Sequence, residues 1–279
     1  MKRIAIVAAA LLLTACDRTG EEALQGVSLN AIDELNLTQL MLQTGEPEAA
    51  VEFFRASLQE QPDRVDFQRG YAISLTRAGR VDEAIIAFRE LDEAGDLEPA
   101  DRLPYARALI RTGDFDTAEA QLTLVGDGRN SYDWNLLNAL ISDNYERWDE
   151  ADGFYARARA LTAQPGAVLN NWGVSKMSRG DHEGATRHFT EAVRYDPDDF
   201  SAKNNLALSR ALRGNYAVPV VPLTEEERAQ IYHNMALIAL RRDDTDIARG
   251  LLELAVETHP RYFEAAARKL EALQGAVNR

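Results

Sequence analysis

Apolar residues recur along this chain at helical spacing, and turns recur at a longer, fixed interval. After a turn glycine, a small residue follows five positions later, an aromatic residue or leucine four positions after that, and a small or apolar residue three positions further on. The pattern occurs as Gly45, Ala50, Phe54 and Ser57, as Gly79, Ala84, Phe88 and Leu91, and as Gly113, Ala118, Leu122 and Val125. Successive glycines are 34 residues apart, which predicts a repeated unit of two helices.

The segment 166–199 shows the pattern most completely. It carries, in order, Asn171-Trp172-Gly173, Gly180-Asp181, Ala185, Phe189, Ala192 and Asp196-Pro197. Small residues at Gly173 and Ala185 allow two helices to cross closely, with Phe189 beside the crossing. Gly180 suits a left-handed helix end, and Pro197 stops the second helix.

This pattern resembles the tetratricopeptide repeat, and the resemblance covers nearly all of residues 30–275. It implies an all-α superhelical solenoid of about seven helix-turn-helix units with a C-terminal capping helix. The units are expected near 31–64, 65–98, 99–132, 132–165, 166–199, 200–223 and 229–262, and the cap at 262–275. The cap has apolar residues at helical spacing and charged residues outside, as the polar end of a solenoid requires.

Two units depart from the pattern. The fourth has Glu146-Arg147 in place of the turn glycine, and we expect the fold to tolerate this change. The sixth lacks a second helix, because Pro219 and Pro222 in the segment 217–223 cannot continue one. A helix is predicted to restart at Thr224, which can form a capping box with Glu227.

The first residues indicate export. Two basic residues precede an apolar run at 4–13, which is too short to span a bilayer, so residues 1–15 are predicted to be a signal peptide. The tetrapeptide Leu13-Thr14-Ala15-Cys16 resembles the lipobox of bacterial lipoproteins. That resemblance implies that Cys16 is lipidated and begins the mature chain. The alternative is an ordinary secretory signal with an incidental cysteine.

Cys16 is the only cysteine, so the chain cannot form an internal disulfide and must be stabilised by packing. Residues 16–29 are polar and without clear period, which predicts a tether between the lipid and the repeats. The lipid would hold the protein at a membrane, facing the periplasm. Asp17 resembles the inner-membrane retention signal of enterobacterial lipoproteins, but our expectation is the outer membrane.

Charge and motifs disfavour nucleic acid and catalysis. The formal net charge of −14 repels phosphate and anionic headgroups, so we expect membrane contact only through lipidated Cys16. The four histidines lack metal-ligand spacing, and neither a phosphate-binding glycine loop nor a nucleophile elbow occurs. Trp148 and Trp172 lie on packing positions, and the acidic run 225–227 suits a helix start. We therefore predict no enzyme activity, no cofactor, no metal and no small-molecule substrate.

The first helix of each tetratricopeptide repeat lines an inner groove, and the family often places an asparagine there to bind the backbone of a guest peptide. The equivalent position here holds Asn36, Asn171, Asn205 and Asn234. Nearby first-helix positions hold Arg77, Arg107, Arg111, Asn170, Asn204, His233 and Arg241. The asparagines could pair with an extended chain and the cations with its carboxylates. The alternative is inherited consensus asparagines beside a solvated arginine face.

Export signal, lipobox and repeats together resemble the tetratricopeptide lipoproteins of tight-adherence (Tad/Flp) pilus systems, most closely over residues 170–273. The resemblance implies an envelope scaffold whose partners are pilus or secretin assembly components. Three other functions stay open. They are a general adaptor for outer-membrane protein insertion or peptidoglycan enzymes, a peptidoglycan hydrolase with a site in the proline-containing segment, and a soluble chaperone for an exported subunit.

Overall fold

The computed structural model describes residues 37–43 and 45–277. Within these residues every regular element is a helix and no strand occurs, so the predicted all-α class is confirmed. None of the described helices is both long enough and apolar enough to cross a bilayer. The predicted signal peptide (1–15), the tether (16–29), Cys16 and Asn36 lie outside the described residues.

The described residues divide into two compact units, the first ending at Arg80 and the second beginning at Val81. The first contains helix α1, described over 37–43, helix α2 (Pro47–Glu60) and helix α3 (Val65–Arg77). Its core is built on Phe54 of α2 and Phe67 of α3. A Cβ added to Gly70 would lie 2.4 Å from the Phe54 ring, so glycine is what allows α3 to approach α2 this closely.

The second unit is a run of eleven described helices, joined by short connections except for the longer segment 212–224. They are α4 (Val81–Ala94), α5 (Arg102–Thr112), α6 (Phe115–Thr123), α7 (Tyr132–Asn144), α8 (Trp148–Ala160), α9 (Gly166–Ser178), α10 (His182–Tyr195), α11 (Phe200–Ala211), α12 (Glu225–Arg241), α13 (Thr245–Thr258) and α14 (Glu264–Val277). Short 3-10 turns at Pro99–Asp101 and Gly126–Gly128 precede α5 and α7.

Helices of the second unit pack first with their chain neighbours and then with the next pair. The hairpins are α5 with α6, α7 with α8, α9 with α10 and α12 with α13, and α14 packs on α13. We call the first helix of each repeat, which is α1, α3, α5, α7, α9, α11 or α12, its leading helix. Within the second unit the leading helices also contact one another directly, α5 with α7, α9 with α11 and α11 with α12. The leading helices α9, α11 and α12 therefore lie side by side.

A residue in the left-handed conformation ends the leading helices from α3 to α12. Gly79, Gly113, Gly180 and Gly214 have φ between 76° and 84°. In each turn two backbone hydrogen bonds close the helix end. At Gly180, for example, the N–H of Gly180 donates to Met177 O and the N–H of Asp181 donates to Lys176 O. Gly45 does not share this conformation.

Glu146 and Asp243 occupy the same turn position without being glycines. Their φ angles are 55° and 62°, and the two closing hydrogen bonds are present in both turns. The tolerance expected at Glu146 is confirmed, at the cost of a strained backbone: a left-handed residue with a Cβ costs about 1–2 kcal/mol. Packing and the closing hydrogen bonds offset that cost.

The close crossing predicted at Gly173 is confirmed. A Cβ added there would lie 2.5 Å from the Phe189 ring, and both Ala185 and Phe189 are fully buried. The α9–α10 hairpin is thus held by one aromatic ring that fills the space a larger residue would need.

The segment between α11 and α12 takes the place of a second helix, as the two prolines predict. Its residues Val218 and Leu223 pack on the core of α11–α14, and Val221 packs on the core of α9–α11. Lys203, only 4% exposed, anchors it by donating to Pro222 O (3.2 Å) and pairing with Glu227 (3.0 Å). The predicted capping box of Thr224 and Glu227 is confirmed, and α12 begins at Glu225.

Replacing Glu146 by glycine should raise the free energy of unfolding by about 1 kcal/mol, because glycine relieves the left-handed strain. Gly180→Ala should lower it by a similar amount, since an added Cβ there meets no atom within 4 Å and only the backbone conformation opposes it. Urea unfolding followed by circular dichroism measures both. Glu146→Ala is the control: it removes the same side chain but keeps a Cβ, and a gain equal to that of Glu146→Gly would contradict the explanation.

Candidate peptide-binding groove

Equivalent side chains of α9, α11 and α12 form three rows. The amide row, nine positions before each left-handed residue, is Asn171, Asn205 and Asn234. The aliphatic row, three positions later, is Val174, Leu208 and Leu237. The end row, seven positions after the amide row, is Ser178, Leu212 and Arg241. Residues at i, i+3 and i+7 lie on one face of a helix, so the three rows share a surface.

A groove of about 440 Å³ crosses this surface. Its lining comprises the whole aliphatic row, the whole end row, Asn234, Met177 and Ile238. Six of these nine side chains are apolar, so the burial of apolar groups would contribute most of the affinity for an occupant. Val174 is 41% exposed, which leaves it open to such a contact.

The asparagines of neighbouring helices bind one another. Asn205 Nδ2 donates to Asn170 Oδ1 (3.0 Å), and Asn234 Nδ2 donates to Asn204 Oδ1 (2.8 Å). Gln230 Nε2 in turn donates to Asn234 Oδ1 (3.0 Å), so both polar atoms of Asn234 are engaged. These bonds join α9 to α11 and α11 to α12. That the asparagines bind a guest backbone stays a prediction, but the structure gives them an internal role.

The predicted cations lie in different environments. Arg77 donates to the backbone oxygens of Met41, Leu42 and Gly45, and so caps the end of α1 within the first unit. Arg107 pairs with Asp133 of α7 (2.6 Å). Arg111 is exposed on α5. Only Arg241 lines the groove, and it has no ion-pair or hydrogen-bond partner within residues 37–43 and 45–275.

His233 faces the C-terminal cap. Its ring lies 5.3 Å from that of Phe263, and its Nδ1 is buried without a partner in the described part of the chain. Burial lowers the pKa of His233, although a hydrogen bond with Asn234 opposes the shift. The side chain is therefore a packing element between α12 and the segment before α14.

Of the predicted groove residues, then, the structure places Asn234 and Arg241 in one groove, with Asn170, Asn204 and Asn205 in the adjoining amide contacts. Sequence reasoning missed the apolar lining. The signal was available: Val174, Leu208 and Leu237 each follow an amide-row asparagine by three residues, on the same helix face.

The tryptophans are not arranged as an aromatic cage. Trp172 Nε1 donates to Asp152 (2.6 Å), and its ring stacks on His188 at 4.2 Å. Burial favours the neutral form of Asp152, but hydrogen bonds from Lys176, Arg179 and Trp172 hold its pKa below the usual value. This polar cluster joins α8 to α9, and within the described residues no group of three or more His, Cys, Asp and Glu side chains could hold a metal ion.

Comparison with known proteins supports the fold. The tetratricopeptide repeat family model matches residues 37–99 and 170–218. No curated protein sequence matches the chain.

Solved structures with this fold include a chain of the APC/C hetero-tetramer Cut9–Hcn1, at 14% identity and a TM-score of 0.58, covering 90% of this chain and 50% of that one. A tetratricopeptide repeat protein from Parabacteroides merdae matches at 12% identity with a TM-score of 0.54, and the match covers 87% of this chain and 98% of that one. A thermophilic tetratricopeptide repeat protein from Thermus thermophilus matches at 17% identity with a TM-score of 0.51, and the match covers 64% of this chain and 97% of that one. The chain spans about half the length of the first of these.

These matches confirm the predicted fold class, an all-α fold of tetratricopeptide-repeat type. The fold is suited to protein–protein interaction, because each repeat adds exposed side chains to a continuous surface without needing a catalytic centre.

His188 provides a test of the packing around Trp172. Burial lowers the pKa of His188, so the unfolded chain binds a proton at a higher pH than the folded chain does. Stability should therefore fall as the pH drops below the unfolded value of about 6.5. We expect His188→Phe to keep the ring stack and to reduce the loss of unfolding free energy between pH 7 and pH 5, measured by urea unfolding. An unchanged pH dependence would contradict this assignment.

Proposed function

We propose that this protein is a lipid-anchored scaffold of the bacterial envelope that faces the periplasm and binds segments of partner proteins. The observation that carries the binding role is the open, mainly apolar groove across α9, α11 and α12. A continuous apolar surface that crosses three helices is suited to a partner segment, since such segments bury apolar side chains in a preformed groove.

The proposed anchor is the lipid on Cys16. Support comes from the apolar run and the lipobox-like tetrapeptide Leu13-Thr14-Ala15-Cys16. Several acyl chains on one residue exceed the marginal hold of a single chain, so the attachment would be stable. We propose the outer membrane as its location.

The proposed partners are components of a Tad/Flp pilus, including its secretin. The support is the sequence resemblance over residues 170–273, which includes the asparagine motifs, the proline interruption and the helix restart in the same order. A general adaptor for outer-membrane protein insertion or peptidoglycan enzymes is the alternative. A prepilin, a secretin and a secretion ATPase encoded beside this gene would favour the pilus.

Metabolic labelling with palmitate tests the anchor. The wild-type protein should incorporate label and fractionate with membranes, whereas Cys16→Ala should do neither, because no other thiol exists in the chain. Equal labelling of both proteins would exclude Cys16 as the lipidation site. An unlabelled wild type that fractionates as a soluble protein would favour the chaperone alternative.

Complementation of a deletion strain tests the groove. Val174→Glu, which places a charge in the groove, should reduce secretin multimers and surface pili. Leu254→Glu should leave both unchanged, because Leu254 lies outside the groove lining. It is a matched control, since Val174 and Leu254 are each 41% exposed and the two substitutions should therefore have similar effects on folding. Secretin multimers on immunoblots and pili counted by electron microscopy are the measurements. If deletion of the gene leaves both unchanged, the pilus proposal is wrong.

A further inference from the structure

We infer that the occupant of the groove is an amphipathic α-helix of a partner protein, about three turns long, with aliphatic side chains on one face and a carboxylate near one end. The inference rests on the proposed binding function and specifies the segment that the groove accepts. It differs from the expectation that asparagines bind an extended backbone.

The dimensions of the groove fit a helix. Asn234 and Arg241 border it and are seven residues apart on α12, which corresponds to about 10 Å along the helix axis. The groove crosses three helices. Because neighbouring helix axes lie about 8–10 Å apart, the groove is about 16–20 Å long from the first axis to the third. A helix is about 10–12 Å wide with its side chains, and about 12 residues span 18 Å.

The hydrogen-bonding capacity of the groove disfavours an extended peptide. The two polar atoms of Asn234 are engaged by Asn204 and Gln230, and the amide nitrogen of Asn205 is engaged by Asn170. An extended backbone laid along the aliphatic row would bring its N–H and C=O groups against apolar side chains, which costs free energy for each unpaired group. A helix satisfies its own backbone and presents only side chains.

Arg241 supplies the charge complementarity. It is the one ionisable side chain in the groove lining, and within residues 37–43 and 45–275 it has no partner. The neighbouring Arg242 is already engaged, since it donates to Leu212 O and lies 3.4 Å from Asp244. A carboxylate at one end of the bound helix would therefore pair with Arg241 beside the apolar contact.

The test uses the purified full-length protein and fluorescein-labelled peptides of about 13 residues, with leucines at helical i, i+3 and i+7 spacing. One peptide has glutamate at its first position and another at its last, and each has a glutamine counterpart. A further version carries a central proline, which prevents a continuous helix. Fluorescence anisotropy gives Kd for the wild type, Val174→Glu, Arg241→Gln, Asn205→Ala and the control Leu254→Glu.

We expect at least one glutamate peptide to bind the wild type and the proline peptide not to bind. Val174→Glu should weaken binding by about tenfold or more, which corresponds to about 1.4 kcal/mol. Arg241→Gln should raise Kd by about fivefold for the glutamate peptide that binds, and should leave the Kd of its glutamine counterpart unchanged. Leu254→Glu should change Kd by less than about twofold, within the range of surface substitutions. Asn205→Ala removes an amide contact between α9 and α11 and should weaken binding by less than Val174→Glu does.

Three results would overturn the inference. They are failure of both glutamate peptides to bind, equal binding of the proline peptide, or a loss in Asn205→Ala as large as in Val174→Glu. The proposed function is tested separately by the complementation experiment. If Val174→Glu impairs secretin assembly in cells while no helical peptide binds, the groove binds a partner but not through an amphipathic helix.

Discussion

The left-handed residue that ends the leading helices from α3 onward is the constraint on which the arrangement depends. At Gly113, Glu146, Gly180 and Asp243 it reverses the chain within a few residues, so that the next helix packs back on the one before it. Within the second unit, from Gly113 to Gly214, these residues recur every 33 or 34 positions, and the helices that they end contact one another as α5 with α7 and α9 with α11. The rows of the groove are a direct result, because positions counted from this residue are equivalent in α9, α11 and α12. That glutamate and aspartate can occupy the turn shows that conformation, and not glycine itself, is what the fold requires.

The polar and apolar rows have different tasks on the same surface. The asparagines join neighbouring leading helices through side-chain amides, and so fix how these helices lie against each other. The aliphatic row lines the groove, where we propose that a partner segment binds. Such a surface can be rigid and still open to a partner, because amides that hydrogen-bond to one another do not depend on the partner for their hydrogen bonds.

Most of the fold could be predicted from the sequence, because its determinants are local. The 34-residue period, the close crossing at Gly173 and the capping box at Thr224 each depend on residues near one another in the chain. The groove was only partly predictable. The pairing of Asn205 with Asn170 rather than Asn171 depends on how two helices are offset, and that offset is a tertiary property. The aliphatic row was missed because a leucine at helical spacing usually packs in a core. Leu208 and Leu237 are half-buried, and only their placement beside the exposed Val174 shows that the row also lines a groove.

The interruption between α11 and α12 has a consequence for how the protein unfolds. A repeat array behaves as a chain of nearest-neighbour interfaces, and its cooperativity is limited by the weakest of them. From Gly214 to Asp243 the interval shortens to 29 residues, and the interfaces that a second helix would make are missing. Coupling across this point passes through the contact between α11 and α12, which includes the ion pair of buried Lys203 with half-buried Glu227. A single lysine thus helps to decide whether the last three helices unfold with the rest of the array or as a separate cooperative unit.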